Sequence, residues 1–457
     1  MSEIFRKIDK IKKLRSKIFE NRKKIPLFKN SLKDVKKVVI INSSSRSGSS
    51  LLYALLSKLP QCYSLTGEAS PFYKLNTYLD RFNPHQSDRI PKELIDDVID
   101  LEGVSSDFIS DIYLNETVSE PADIDFDSYV DDLMLRLLLQ WTDIDFDLEV
   151  LRSSIAGSLE SYLAENRLFN TENFYLSMLE RLNSFWHQIN PFYYDIGTDK
   201  VALKFPFLEI PKDPPTSGFT IEEPPYVLLP PRNRPDVQDL TDKTLLLKST
   251  VDCYRMNLVA RLLPNAEIRI IHLVRNPAAT INGIFDGWHH RGFFSHNLAH
   301  CFNDGGIDKL KIKGYSDIYP HGSKWWNFDL PDGWQSVANL DLVDVCAFQW
   351  YSANTEILSY LAKSGCKSCL IHFEDLIRSL ESRTLEFERL LNFIGISTGL
   401  TSVLGLDALP IVQSTLPPQL YRWKSRQDMI ARVLDAPRIS EMAEFFGYRT
   451  ENMEGWL

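Results

Sequence analysis

The segment that most constrains the fold lies between residues 37 and 59. A short β-branched run, Lys37–Ile41, is followed by a Ser/Gly-rich stretch and then by leucines at helical spacing from Leu51 to Leu59. This order is typical of a buried strand, a tight loop and a helix. Small loop residues let backbone N–H groups approach an anion, which the dipole of the following helix also attracts. The segment therefore predicts an anion-binding loop at the end of a buried strand.

Strands and helices alternate again in the second half of the chain. The apolar runs that predict strands are Thr244–Leu247, Ile268–Val274 and Cys369–Phe373, and the periodic segments that predict helices are Val251–Leu263, Ala278–Phe285 and one ending near Leu391. Apolar strands that alternate with helices are typical of a parallel sheet covered on both faces. We therefore predict an α/β fold with a P-loop-type central parallel sheet flanked by helices.

Two long stretches interrupt this alternation, at about 80–240 and 287–345. The first combines acidic helical patterns with proline-rich connectors, and the second holds several tryptophans and a group of histidines. We predict one domain over residues 37–457 that carries both stretches as mostly helical or irregular insertions. Insertions at strand ends of an α/β fold are where substrate specificity usually resides.

The loop after the first strand differs from that of nucleotide-hydrolysing proteins. Those proteins need Gly-x4-Gly-Lys-Ser/Thr, in which the lysine reaches the outer phosphates and the hydroxyl holds Mg²⁺. Here no lysine precedes Ser49 and Ser50, and the cation of the loop is Arg46, which has a planar fork of donors. This pattern favours an anionic donor handled without a metal. A Ser/Gly turn that only caps a helix is the structural alternative.

Residues Arg46 to Leu51 resemble the 5′-phosphosulfate loop of the PAPS-dependent sulfotransferase superfamily (PAPS is 3′-phosphoadenosine 5′-phosphosulfate). The stretch from Ile268 to Gly283 is similar to the second signature of that family, in which an Arg and a Ser eight residues later bind the 3′-phosphate. Arg275 matches the arginine, whereas Gly283 stands in the place of the serine. Thr280 is a neighbour whose hydroxyl is expected to substitute.

Three further stretches match the family in order. Lys248 ends a strand ahead of Leu263–Ala266, the segment at 371–376 resembles a Tyr-Glu-Asp-Leu element, and the segment at 421–424 resembles a C-terminal Arg-Trp element. The resemblance covers residues 37–75, 244–285 and 345–450, about half the chain. It implies that PAPS is the co-substrate and that the residues binding it are Arg46, Ser47, Gly48, Ser49, Ser50, Leu51, Arg275, Gly283, Phe373, Arg422 and Trp423.

The resemblance also implies which residues carry the chemistry. Arg46 and Lys248 match family cations that stabilise the transferred sulfuryl group and the leaving phosphate. One branch of the family uses a His as the base, and its place is taken here by Thr250. The other branch, which includes tyrosylprotein and bacterial sulfotransferases, uses the Glu of a Gly-Glu pair, and Glu68 matches it. Glu68 is therefore the expected base for a hydroxyl or amine of an unidentified acceptor, with a surface carboxylate as the alternative.

Several other polar and aromatic groups admit two interpretations. The histidines of the second insertion are candidates for an alternative base, but their spacing lacks the Glu of a helical zinc motif: they are His289, His290, His296 and His300. Cys366 and Cys369 lack a second pair, so we expect no metal. The tryptophans of the second insertion and of the segment that follows it line either an acceptor pocket or the core: they are Trp325, Trp326, Trp334 and Trp350.

Residues 1–36 are predicted to form a basic amphipathic helix. Its apolar positions recur at steps of three and four from Ile4 to Phe19, with lysines between them. Residues 1–30 then either attach to an anionic membrane surface or dock the stripe on the body of the protein. The net charge is −10 although residues 1–37 carry fourteen Lys/Arg and four Asp/Glu, so the body is acidic, which argues against nucleic acid as a partner.

Sparse cysteine and the lack of an apolar leader favour a cytoplasmic protein, with peripheral membrane attachment as a variant. Two other functions stay open at this point. One is a P-loop kinase or other nucleotide-binding enzyme, which shares the strand–loop–helix unit but needs the absent lysine. The other is a non-catalytic membrane-surface protein built on the same fold.

Overall fold

The computed structural model describes residues 3–22, 24, 31–77, 86–97, 99–290, 292–302, 307–413 and 418–457. A mostly parallel six-stranded sheet lies at its centre, in the order β3-β2-β4-β1-β5-β8. A separate antiparallel pair is formed by β6 and β7. The strands are β1 (Lys37–Asn42), β2 (Cys62–Leu65), β3 (Ile112–Leu114), β4 (Thr244–Lys248), β5 (Glu267–Val274), β6 (Phe294–Asn297), β7 (Trp325–Asn327) and β8 (Lys367–His372).

Helices flank the sheet and build most of the first insertion. They are α1 (Glu3–Arg22), α2 (Ser49–Leu56), α3 (Ser70–Thr77), α4 (Lys92–Asp97), α5 (Leu101–Ser110), α6 (Phe126–Gln140), α7 (Leu148–Glu165), α8 (Thr171–Phe185), α9 (Thr198–Lys204), α10 (Val237–Asp242), α11 (Met256–Leu262), α12 (Pro277–Trp288), α13 (Leu342–Ser364), α14 (Phe373–Ile377), α15 (Leu380–Ile394), α16 (Gln427–Leu434) and α17 (Pro437–Phe445). The predicted α/β fold is confirmed.

β1 is the central strand of the sheet, and its sequence explains why. It pairs in parallel with β4 on one side and with β5 on the other. Its residues from Val38 to Asn42 are buried, as a strand covered on both faces requires. The carboxyl ends of β1, β4 and β5 therefore meet at one edge, where the loop after β1 begins.

The first insertion adds a strand that the sequence pattern did not predict. β3, only three residues long, pairs antiparallel with β2 at the edge of the sheet, with Tyr63 opposite Leu114. The helices α6, α7 and α8 are preceded by the N-cap residues Asp125, Asp147 and Asn170, whose side chains accept hydrogen bonds from backbone N–H groups. The apolar faces of these helices join the same core as one face of the sheet.

The second insertion packs on α12 and α13. Trp325, Trp326, Trp334 and Trp350 are all at most 1% exposed and fill hydrophobic cores. Of the two interpretations for these tryptophans, the structure supports the core. These indole rings therefore stabilise the packing of the insertion rather than line a pocket.

Helix α1 docks on the body of the protein through its apolar stripe. Ile8 and Ile11 are buried, and Leu14 and Ile18 pack against the same core. Arg15 forms a buried ion pair with Asp107 of α5. The docking interpretation of the stripe is therefore the one the structure supports, although residues 23 and 25–30 of this segment lie outside the described part. Among the helices described, none has the length and apolarity needed to cross a membrane.

Ile11→Ala is expected to lower the free energy of unfolding by about 2–5 kcal/mol, because the substitution leaves a cavity where α1 meets the core. Lys17 lies exposed on the same helix, and Lys17→Ala is expected to change stability by less than about 0.5 kcal/mol. Urea denaturation of the three proteins measures both values. Equal stability of the two variants would contradict the docking of α1.

Candidate active site

A cavity of about 600 Å³ opens at the carboxyl edge of the sheet. Edges of this kind are where α/β proteins bind their ligands. The cavity is lined by most of the residues predicted from sequence: Arg46, Gly48, Ser49, Ser50, Leu51, Glu68, Lys248, Arg275, Phe373, Arg422 and Trp423. Of the predicted site residues, Ser47 and Gly283 do not line it. The fold therefore brings together groups that are more than 370 residues apart in the chain.

Two residues with positive φ and the packing of the Phe373 ring define the conformation of the loop after β1. Arg46 has a φ of 65° and Gly48 a φ of 96°, both in the left-handed region. A Cβ atom on Gly48 would lie 2.2 Å from the Phe373 ring, so only glycine fits there. The hydroxyl of Ser47 contacts that of Ser44 at 2.7 Å, which turns it inside the loop. Ser49 and Ser50 open α2 at the cavity wall.

Three arginines converge on the cavity without balancing carboxylates on two of them. Burial and the nearby charges of Arg275 and Arg422 lower the pKa of Arg46 to about 10. Burial likewise lowers the pKa of Arg275, and its Nε atom has no hydrogen-bond partner in the described chain. Arg422 differs because it pairs with Asp286 at 2.9 Å. Cations that burial destabilises in this way, with other cations nearby, are typical of a site for an anion.

Gln413 supplies the oxygen atoms that the loop donors now contact. Nη1 of Arg46 donates to the Gln413 carbonyl at 2.9 Å, and the Ser50 hydroxyl donates to its side-chain oxygen at 2.7 Å. Gln413 has a φ of 45°, which is uncommon for a residue with a side chain. Two neutral carbonyl oxygens of Gln413 therefore accept hydrogen bonds from groups that would also suit a phosphate or a sulfate.

The position of the missing serine is explained by close packing. A Cβ atom on Gly283 would lie 3.1 Å from Cβ of Arg46, so α12 approaches the loop where it has no side chain. Thr280 does not substitute, because its hydroxyl donates to the Asn276 carbonyl within the helix and lies outside the cavity. Asn282 does line the cavity, and its side-chain oxygen accepts from Arg426.

Glu68 and Lys248 form an ion pair that also lines the cavity. Nζ of Lys248 contacts one carboxylate oxygen at 2.7 Å, and the Ser249 hydroxyl donates to the other at 3.1 Å. The side chain of Glu68 is 37% exposed, so it stays accessible to a ligand. Asp252 lies buried nearby, and burial raises its pKa to about 7, with Glu68 adding to the rise. Glu68 is thus oriented by two donors while open to the cavity.

One wall of the cavity contains residues that the sequence did not single out. Arg136 of α6 lines the cavity with Glu222, Glu223 and Phe293, among others. A signal for Arg136 existed, since it interrupts the apolar run from Leu133 to Leu139. No comparable signal marks the others, which reach the cavity only through the folding of the two insertions.

The candidate histidines lie outside the cavity: they are His289, His290, His296 and His300. His289 contacts the hydroxyl of Tyr319 at 3.2 Å, and His296 lies 3.3 Å from Asp88. Within the described ranges, no three or more His, Cys, Asp or Glu residues are grouped as metal ligands would be. Cys366 and Cys369 are free thiols.

No protein-family model matches the sequence, and no curated protein matches it. The fold is similar to that of solved sulfotransferases at low identity. The sulfotransferase domain from the curacin biosynthetic pathway is 12% identical. The match covers 91% of this chain and 99% of that domain, with a TM-score of 0.35. The sulfotransferase domain from the Synechococcus PCC 7002 olefin synthase is 15% identical, covered over 91% and 96%, with a TM-score of 0.35. A sulfotransferase from Mycobacterium avium is 11% identical, covered over 90% and 77%, with a TM-score of 0.33.

Proposed function

We propose that this protein is a PAPS-dependent sulfotransferase that transfers a sulfuryl group to a hydroxyl or amine of an acceptor. The observation that carries the proposal is the pair of cavity arginines, Arg46 and Arg275, which form no ion pair within the described residues although both carry charge in a half-buried setting. Charges in such a setting are stabilised by an anionic ligand. The sequence resemblance to sulfotransferases supports PAPS as that ligand.

The residues present fit a 3′,5′-bisphosphorylated nucleotide in two respects and depart from it in one. Arg275 lines the cavity, and its buried Nε atom has no hydrogen-bond partner in the described chain, which a phosphate oxygen would supply. Gly48 leaves room for the Phe373 ring at the loop, and Arg275 stacks on that ring, with its guanidinium carbon 4.9 Å from the ring centroid. Gly283 lacks the hydroxyl of the family signature, so Asn282 and Arg422 are the groups left to complete the site.

In the proposed reaction, PAPS as second substrate supplies the sulfuryl group, and the sulfur–phosphate oxygen bond breaks as the acceptor oxygen or nitrogen bonds to sulfur. Glu68 takes the acceptor's proton, because its carboxylate is exposed to the cavity and oriented by Lys248 and Ser249. Arg46 and Lys248 donate to the oxygens on which negative charge increases. The leaving group is adenosine 3′,5′-bisphosphate.

A thermal-shift titration tests the proposal. Adenosine 3′,5′-bisphosphate at one hundred times its Kd is expected to stabilise the protein by about 2.7 kcal/mol. The comparison ligand is ATP with Mg²⁺, which a P-loop kinase would prefer. Stabilisation by ATP–Mg²⁺ and none by the bisphosphate would overturn the proposal in favour of a kinase-like protein.

Gln413→Gly is expected to tighten bisphosphate binding by about threefold to tenfold. The ligand has to displace Gln413 from Ser50 and Arg46, and each such hydrogen bond is worth about 1 kcal/mol net. Glycine removes the side-chain oxygen and suits the positive φ of this position. Isothermal titration calorimetry measures the change, and weaker binding by the variant would mean that Gln413 contacts the ligand instead.

A further inference from the structure

The two insertions meet along the cavity wall that runs from Glu68 to Arg46. The guanidinium of Arg136 lies next to Gly67, since a Cβ atom there would be 3.3 Å from its Nη2. From Arg136 the wall continues through Glu222 and Glu223 to Pro224, whose carbonyl accepts from the backbone N–H of Phe293 at 2.8 Å. An acceptor that reaches Glu68 therefore lies against this wall.

Apolar side chains dominate the wall. Those that line the cavity are Ile221, Pro224, Pro225, Val227, Phe293 and Phe328. The rings of Phe293 and Phe328 pack with centroids 4.9 Å apart, and the guanidinium of Arg46 lies 5.3 Å from the Phe293 centroid. The Phe328 N–H donates to the Ser295 hydroxyl at 2.8 Å, which fixes the second ring. The apolar surface thus extends up to the cation of the anion-binding loop.

Each carboxylate on this side of the cavity already has a cation of the protein beside it. Glu68 contacts Lys248 at 2.7 Å, and Glu222 lies 3.4 Å from Arg136. Glu223 lies 3.6 Å from Lys74, and it also accepts from Ser295 at 2.6 Å. A charged acceptor would therefore meet matched pairs and apolar surface, and it would lose hydration without gaining a free counter-charge.

From these contacts we infer that the acceptor is a neutral, largely apolar alcohol or phenol. The inference rests on the proposed function and deepens it by assigning a substrate class. An anionic saccharide needs free cations and many hydrogen-bonding groups, and an acidic tyrosine peptide needs free cations as well. Along the described wall the carboxylates and Arg136 are already paired with each other or with lysines, and Arg46 is assigned to the donor by the proposed function, whereas aromatic rings and prolines bind apolar carbon well.

The test measures turnover and binding separately. Bisphosphate release is followed at saturating PAPS with 2-naphthol, 1-octanol, a desulfated heparin oligosaccharide and a tyrosine peptide flanked by acidic residues. We expect kcat/KM for an apolar acceptor to exceed that for the saccharide and the peptide by at least about 100-fold. We also expect 2-naphthol to raise the melting temperature further once the bisphosphate is bound.

A variant of the wall gives the matched comparison. Val227→Asp places an unmatched charge among the apolar residues and is expected to raise KM for 2-naphthol by about tenfold or more, while Val227→Ile changes it by less than about threefold. Bisphosphate-induced stabilisation should be the same in both variants, which confirms that the donor side is folded.

The outcomes distinguish a failure of the proposed function from a failure of the inferred acceptor class. Failure of the bisphosphate to bind overturns the proposed function. Two results overturn the acceptor class alone, provided that the bisphosphate binds. One is turnover of the saccharide or the peptide. The other is that neither apolar acceptor binds or is turned over. Unchanged KM for 2-naphthol in Val227→Asp also overturns it.

Discussion

Glu68→Gln is expected to lower the rate of sulfation by about 10²–10⁴-fold while leaving bisphosphate affinity within about twofold of the wild-type value. General-base catalysis typically contributes a factor of that size, equivalent to about 3–5 kcal/mol of barrier. The amide keeps the size of the side chain and an oxygen that accepts from Lys248 at the same place. The loss would therefore report mainly the missing basicity rather than a cavity, together with the loss of the charge that pairs with Lys248. Initial rates with labelled PAPS and calorimetric titration of the bisphosphate measure the two quantities.

The competing base is a histidine of the second insertion, and His290→Asn provides the comparison. We expect this variant to retain most of the wild-type rate, because His290 does not line the cavity. If His290→Asn loses turnover and Glu68→Gln keeps it, the base comes from the insertion. The assignment of the chain to the Glu-using branch of the family would then be wrong.

Arg275→Ala is expected to weaken bisphosphate binding by about 100-fold. Hydrogen bonds to charged groups contribute about 1.5–3 kcal/mol each, and a guanidinium that meets a phosphate makes one or two of them. The Nε atom of Arg275 has no partner in the described structure, but alanine also removes the 3.4 Å hydrogen bond from Nη1 to the Arg46 carbonyl and the stacking on Phe373, which add to the loss. Because the 3′-phosphate lies away from the reacting sulfur, kcat at saturating PAPS should fall by less than about tenfold.

Arg275→Lys is the matched control for this prediction. Lysine keeps the charge but not the planar fork of donors, so we expect an affinity between those of wild type and the alanine variant. Calorimetry gives the affinities, and initial rates over a range of PAPS concentrations separate KM from kcat. An alanine variant with unchanged affinity and greatly reduced kcat would place Arg275 at the reacting group instead.

Four strands of the sheet, β1, β4, β5 and β8, and the loop after β1 were predictable because they depend on local sequence, whereas β2 was not predicted. β-branched runs such as Lys37–Ile41 specify buried strands, and the Ser/Gly composition after residue 42 specifies the turn. The strand β3 was not predictable, because three residues within an acidic segment carry no clear alternation. It forms only because β2 offers a free edge.

The cationic loop and the Glu68–Lys248 pair of the candidate site were predictable, whereas the walls that the insertions build were not. Arg46, Arg275 and Arg422 belong to motifs with fixed spacing from strands and helices, and the structure places all three at one cavity. Gln413 carries no motif, and its place against Ser50 depends on how the C-terminal third of the chain folds back. The catalytic and binding roles of these residues remain predictions until the variants are measured.

The position of β1 has a consequence for how the chain is made. β1 ends at Asn42, but its two neighbours in the sheet, β4 and β5, begin at Thr244 and Glu267. At about 5–20 residues per second, a ribosome needs roughly 10–40 s to supply them. During that interval the apolar β1 segment lacks both of its partner strands while the first insertion is being synthesised. Such a strand is a template for association between nascent chains, so high-level expression of this protein should depend on chaperones that cover β1 until β4 arrives.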